Sequence, residues 1–157
     1  LGLCMKTFAP LAALALALAG CADVPRPDAE RIQGHWIVVD FRSPNQTEDR
    51  GQRRKHALVS EETWSEQFQG ETYEDFEYRI DPGPCPKHLD LIFTDASGRR
   101  LTVRAIYEII DGNRMRVCFG SPPVVNGCAG PEYVESIRPL AFEPTAGPLV
   151  RYHRKTE

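Results

Sequence analysis

The chain is poor in the signatures that most chemistry leaves. It holds no Cys-x-x-Cys, no Gly-x-Ser-x-Gly and no glycine-rich phosphate loop, so dithiol redox, serine-nucleophile and nucleotide chemistry lack their usual marks. Its histidines, His35, His56, His88 and His153, fall on separate segments, and none stands at metal-ligand spacing from another. Acids are common, but Glu61, Glu62, Glu74, Asp75 and Glu77 lie in strand-like stretches whose outer faces are normally charged. Asp81, Asp90, Asp95 and Asp111 sit at or beside turns, where short carboxylates bond the backbone. The reading is therefore of a protein that is no enzyme and carries no cofactor. An excess of one charge is missing too: 19 Lys and Arg against 22 Asp and Glu leave a net charge of −3, with none of the basic excess of a nucleic-acid binder. No apolar run reaches the roughly 20 residues of a membrane-spanning helix. With 157 residues, 41% hydrophobic and 26% charged, the chain suits one modest globular domain.

What is present begins with Lys6, followed by the uncharged "TFAPLAALALALAG" and then Cys21. A positive start, a short apolar centre and a small-residue exit describe a secretory signal. Leu18-Ala19-Gly20-Cys21 resembles the lipobox of bacterial lipoproteins, which implies cleavage before Cys21 and acylation of its thiol. Residues 1–20 are then a cleaved signal-peptide helix, and their loss takes the net charge from −3 to −4 because Lys6 is their only charged side chain. Ala22 after the cysteine, by the same resemblance, sends the protein to the periplasmic side of the outer membrane. "ADVPRPDAER" carries two prolines and charges of mixed sign; with Cys21 it makes a lipidated tether over 21–31, semi-stiff and reaching about 25–30 Å at about 3.1 Å per residue.

From residue 35 the apolar residues recur every second position, as in half-buried strands. In "LTVRAIYEI", Leu101, Val103, Ala105, Tyr107 and Ile109 share a face; in "RMRVCF", Met115, Val117 and Phe119 do; in "HLDLIFT", Leu89, Leu91 and Phe93; in "DFEYRI", Phe76, Tyr78 and Ile80. "DPGPCPK", "DASGRR" and "DGN" punctuate them as turns. With "HWIVVDF", "HALVS", "TWSEQF" and "PLVRYHR" the count is about eight short strands. An all-β, antiparallel up-and-down barrel over 32–157 is the leading architecture, because closure removes both exposed edges; an open sandwich is the alternative. Such a barrel is just wide enough to be filled by side chains or to hold one small ligand.

"IQGHWIVVDF", "AIYEIIDGNRMRVCFG" with the preceding "HLDLIFT", and "RPLAFEPTAGPLVRYHRK" together resemble a small bacterial lipocalin-like domain family of unknown function. Its members open on Leu-Gln-Gly-x-Trp, carry an Ile-Tyr-Glu-x-Asp-Gly hairpin leading to Leu-Arg-Leu-Cys-Phe, and close with Arg-Pro-x-x-Phe and a last apolar strand. Ile32 replaces the usual Leu, and Ile110 is an extra residue before the turn. The resemblance implies a lipocalin-like barrel and no particular activity. Gly34-x-Trp36 is similar to the first-strand motif of lipocalins proper, which implies that the Trp36 indole plugs the closed end beneath Arg151 or Arg154.

In an up-and-down order alternate turns share an end. Cys118, near the far end of the seventh strand, is then close to Cys128 in the next loop, and an exported domain should oxidise that pair; Cys85, at the opposite end, stays free or pairs between chains. Arg53, Arg54 and Lys55 of the first connection and Arg99 and Arg100 of another would gather on the rim of the barrel mouth. There they would attract the head group of an anionic amphiphile, while Trp64, Phe76, Tyr78, Phe93, Tyr107 and Phe119 line an apolar interior. Two functional readings follow: a lipid-anchored barrel of the bacterial cell envelope that binds a small apolar or amphipathic ligand, or a filled barrel acting by its surface on an envelope protein.

Overall fold

The computed structural model describes residues 26–44, 55–120 and 136–156. The alternating segments become β1 (Gly34–Arg42), β2 (Lys55–Val59), β3 (Thr63–Phe68), β4 (Glu71–Asp81), β5 (Lys87–Thr94), β6 (Arg100–Ile109), β7 (Arg114–Phe119) and β8 (Leu149–Arg154). Each pairs antiparallel with the next, and β8 returns to β1, so the sheet is a closed barrel in sequence order. No open sandwich forms. The inward set is the one that period two predicts: Leu89, Leu91, Ala105, Tyr107, Ile109, Met115 and Val117 are buried in one core, with Tyr78, Ile80, Phe93, Val103 and Phe119 packed against it.

Two strand pairs carry a bulge, β3–β4 at Tyr73 and β1–β8, and in β1 the bulge changes which residue faces the core. Counting from Trp36, Asp40 should face the core and Phe41 solvent. A bulge between Val38 and Asp40 reverses this. Phe41 turns inward against the core, and Asp40 turns out to pair with Arg151 at 3.0 Å and Arg42 at 3.2 Å.

The end reached by the even-numbered connections is shut by side chains. Trp36 is fully buried, and its Nε1 donates to the Ile32 carbonyl at 2.7 Å. Arg154 lies over the indole, 4.2 Å from the ring centre, and donates to the carbonyls of Gly112, Gln33 and Arg31 at 2.8, 2.5 and 2.6 Å. Of the two arginines considered for this place, Arg154 takes it; Arg151 is an odd number of positions away on the same strand and points outward. Gly34 has φ of +128°, and a Cβ there would run into the Arg154 guanidinium. Only glycine serves at that position.

The tether expected over 21–31 ends sooner than its sequence suggests. Asp28–Arg31 form a single helical turn, α1, docked on the closed end. Pro27 stands just before it in an extended conformation, φ −54° and ψ 147°, and its carbonyl accepts from the Glu30 and Arg31 amides at 3.0 and 3.1 Å. The Asp28 side chain, 7% exposed, accepts from Lys87 Nζ at 2.6 Å, the Tyr107 hydroxyl at 2.9 Å and Arg31 at 3.2 Å. Burial raises its pKa, but the Lys87 and Tyr107 bonds and the neighbouring cations outweigh burial and hold it below the ordinary 3.8.

A strap over 136–148 crosses the outer wall. Arg138 donates to the Leu89 and Ala105 carbonyls and pairs with Asp90, and the Arg104 amide donates to Ser136 Oγ at 2.6 Å. Phe142 packs over Ile106, Cys118 and Leu149, apolar residues that alternation sends outward and that the strap re-buries. Gly120 lies beneath it, where any Cβ would meet the Ile137 and Arg104 carbonyl oxygens.

The Asp28 latch has a testable pH signature. A carboxyl whose folded pKa is depressed stabilises the fold fully above its unfolded pKa, and that contribution fades as pH falls through the folded value. In urea unfolding, Asp28→Asn is expected to be less stable than wild type at pH 7, by about 1–2 kcal/mol for the lost charged hydrogen bonds. The gap should close as pH drops below 3.8. A gap that is constant with pH would show that the carboxylate does not hold α1.

Candidate ligand cavity

The closed half of the barrel is packed solid by Trp36, Trp64, Leu89, Tyr107 and Met115, all essentially without exposure. The open half is not. Val38, Ala57, Val103 and Val150 bring short side chains to its walls, and a cavity of about 190 Å³ remains, completed by Phe41, Phe76, Leu91, Phe119 and Tyr152 with Lys55, His56 and Glu66.

Of the six aromatics expected to line the interior, Phe76 and Phe119 do so. The other four make up the packed remainder. Trp64 packs edge-on against Tyr152 at 6.0 Å and Tyr78 at 6.5 Å between ring centres, just behind the Tyr152 wall. Phe93 meets Phe76 edge-on at 5.5 Å, and Tyr107 is tied to Asp28 at the closed end. Sequence reasoning weighted large rings and passed over the small residues that create the space. Glu66, in sequence one of a run of acids that could neutralise the basic loops, lies two positions after Trp64 and shares that residue's inward face.

The described part of the basic rim is engaged by acids or turned to the cavity. Arg53 and Arg54 lie outside the described residues. Arg99 closes back on Asp95 at 2.7 Å, a carboxylate that also accepts from Ser97 and the Arg99 amide, bonds that hold its pKa well below the usual range. Arg100 pairs with Glu77 at 2.6 Å, on the outer face of β4. Lys55 alone of the described basic set reaches the cavity. There its ammonium stands 5.3 Å from the centre of the Tyr73 ring, and the Tyr73 hydroxyl donates to Glu66. Burial first and Glu66 next push the Tyr73 hydroxyl pKa far up, so it stays a donor. Burial, then repulsion from Glu66, raises Glu74, with Lys55 opposing.

Among the described residues one buried side-chain donor lacks a protein acceptor: Trp64 Nε1, one ring removed from the cavity through Tyr152. Such an orphan costs about 1–3 kcal/mol.

Cys118 is a buried free thiol under the strap, near the Glu143 and Gly147 carbonyls at 3.6 and 3.9 Å, and burial raises its pKa. Its expected partner Cys128 lies outside the described residues, as does Cys21. Cys85 is a free, exposed thiol.

Two histidines treated as solitary meet. The β1–β2 register sets His35 and His56 diagonally on the outer face, with His35 Nε2 2.7 Å from His56 Nδ1. That diagonal depends on pairing register, which no local motif announces. Burial, then His56 and Lys155, lower the His35 pKa below 6.5. Among the described residues no group of three or more His, Cys, Asp or Glu is placed to hold a metal.

Compared with known protein families, curated proteins and solved structures, the chain matches none.

A base whose folded pKa is depressed favours the fold above its unfolded pKa and ceases to as pH falls below the folded one. Wild-type stability should therefore decline from pH 7 to pH 5 more steeply than that of His35→Gln, read as urea midpoints. Parallel curves would mean the His35–His56 contact is not made in solution.

Proposed function

We propose that this chain is a lipid-anchored barrel of the bacterial cell envelope that takes one small apolar or amphipathic molecule into its open half. The observation that carries the reading is the cavity of about 190 Å³ whose walls are mainly aliphatic and aromatic. An engineered apolar cavity of about 150 Å³ stays dry and accepts benzene; this one suits a single ring or a short alkyl chain. The barrel class, implied also by the resemblance to lipocalin-like domains, is one whose interior commonly holds such a guest.

The anchor belongs to the same reading. Acylation of Cys21 with two or more chains makes a stable membrane attachment, and Ala22 directs it to the outer membrane. Arg26, where the described chain starts, is five residues beyond Cys21, a stretch of at most about 18 Å at about 3.6 Å per residue. Because α1 docks on the closed end, that end stays nearest the bilayer and the mouth opens toward the aqueous compartment. Ligand exchange then runs through water or a soluble donor, not directly from the lipids beneath.

A surface-acting barrel has one observation in its favour. Leu140 and Ile137 on the strap are 88% and 69% exposed, beside an outer groove that also includes Cys85 and Phe142.

Trp36 and Trp64 are the only tryptophans, and Trp36 plugs the closed end while Trp64 packs behind the Tyr152 wall of the cavity. Titration of the wild-type protein with hexanol is expected to change tryptophan emission saturably, through Trp64. Ala57→Phe, which fills the cavity, should abolish the change while the fold, checked by circular dichroism, persists. Absence of any saturable response from the protein with its cavity intact rejects an open binding cavity in favour of the surface reading. For the anchor, Cys21→Ser is expected to move the protein from the membrane to the soluble fraction of an expressing bacterium. Retention of that variant on membranes would remove the lipid.

A further inference from the structure

Resting on the cavity reading above, we infer that the ligand carries a positive charge: the site is built for an apolar body with an ammonium head, and against a fatty acid.

The cavity's own wall bears one carboxylate, Glu66, and one ammonium, Lys55. Glu66 sits directly across the β3–β4 pair from Glu74, so a second carboxylate shares its face at cross-strand distance, about 5 Å between Cβ atoms. Both are half-buried. Like charges directly opposite one another are destabilising, and among the described residues a single cavity-lining ammonium answers two of them. Its position over the Tyr73 ring shows that Lys55 also has an aromatic face to rest on. Of the arginines expected to reverse this balance, the two that are described are engaged by acids, Arg99 by Asp95 and Arg100 by Glu77. The direction of the Glu74 shift, upward through burial and Glu66, agrees with the geometry.

A guest ammonium entering behind an alkyl or aryl body meets Glu66 as a hydrogen-bonded counter-ion and relieves its repulsion with Glu74. Phe41, Phe76 and Phe119 line the same cavity, and aromatic faces attract cations as well as apolar groups. A carboxylate guest would instead bring a third negative charge beside Glu66 and Glu74, with Lys55 the one lysine or arginine among the described lining residues to offset it. The ligand class is therefore a primary or secondary amine on a short hydrocarbon: an alkylamine or arylalkylamine.

Three isosteric probes of one length separate this from its rivals: hexylamine, hexanol and hexanoate, titrated calorimetrically into wild-type protein at pH 7 and low salt. Hexylamine is expected to bind more tightly than hexanoate by about tenfold or more, with hexanol between, since even one net charge contact at this depth supports such a factor. Glu66→Gln with Glu74→Gln should narrow the ratio to about threefold or less, and Lys55→Met should widen it; raising the salt should also narrow it. If hexanol and hexanoate bind as well as hexylamine, the charge preference is wrong though the cavity reading stands. Tighter binding of hexanoate would overturn the inference in favour of the basic rim that Arg53 and Arg54 contribute by sequence. If none of the three binds, the cavity reading itself fails. Should the double Gln variant not fold, the wild-type ratio and the Lys55→Met arm decide alone.

Discussion

Everything in this barrel depends on the seam where its last strand meets its first, and at the closed end that seam is held by Arg154 over Trp36. A guanidinium stacked on an indole contributes about 2 kcal/mol or more when desolvated, and here the same guanidinium also ties together three carbonyls from two other chain segments. One side chain thus joins β8, β1, the approach to β1 and the β6–β7 turn. Gly34 is glycine because the guanidinium needs its space, and α1 has a floor to dock on because Trp36 fills the opening beneath it.

Sealing one end creates the asymmetry on which the candidate function rests. Bulky residues concentrate in the closed half, where Trp36, Trp64 and Tyr107 leave no room. Short ones face the open half, where Val38, Ala57, Val103 and Val150 leave a void. Interiors elsewhere are close-packed, so a gap walled mainly by hydrocarbon is conspicuous. The strap contributes from outside: by covering Ile106, Cys118 and Leu149, it lets the β6–β7–β8 wall be apolar on both faces and hence stiff around the cavity.

Charge at the mouth follows from local bonding more than from composition. Arg99 and Arg100 look available as a basic pair in a turn, yet Arg99 is engaged by an Asp at the start of that turn and Arg100 by a Glu two strands away across β5. Glu66 looks like one more surface acid in a sequence rich in them, yet pairing opposite Ala57 places it on the cavity wall. Among the described residues, the charges that line the cavity are thereby not the ones that a count along the loops points to.

The strands, their number and most inward faces were legible from period two alone, because a strand's side chains alternate whatever surrounds it. Gly34, Trp36 and an arginine partner were legible as a short motif set at the two ends of the domain. Tertiary structure alone decided between Arg154 and Arg151, turned Phe41 inward at a bulge, folded Asp28–Arg31 onto the barrel instead of leaving them as tether, and brought His35 to His56. It also decided where the interior is full and where it is empty. The reason is physical: alternation is a property of one strand's backbone, whereas bulges, diagonal contacts and cavity volume arise from the register and the summed side-chain sizes of eight strands at once, which no single segment encodes.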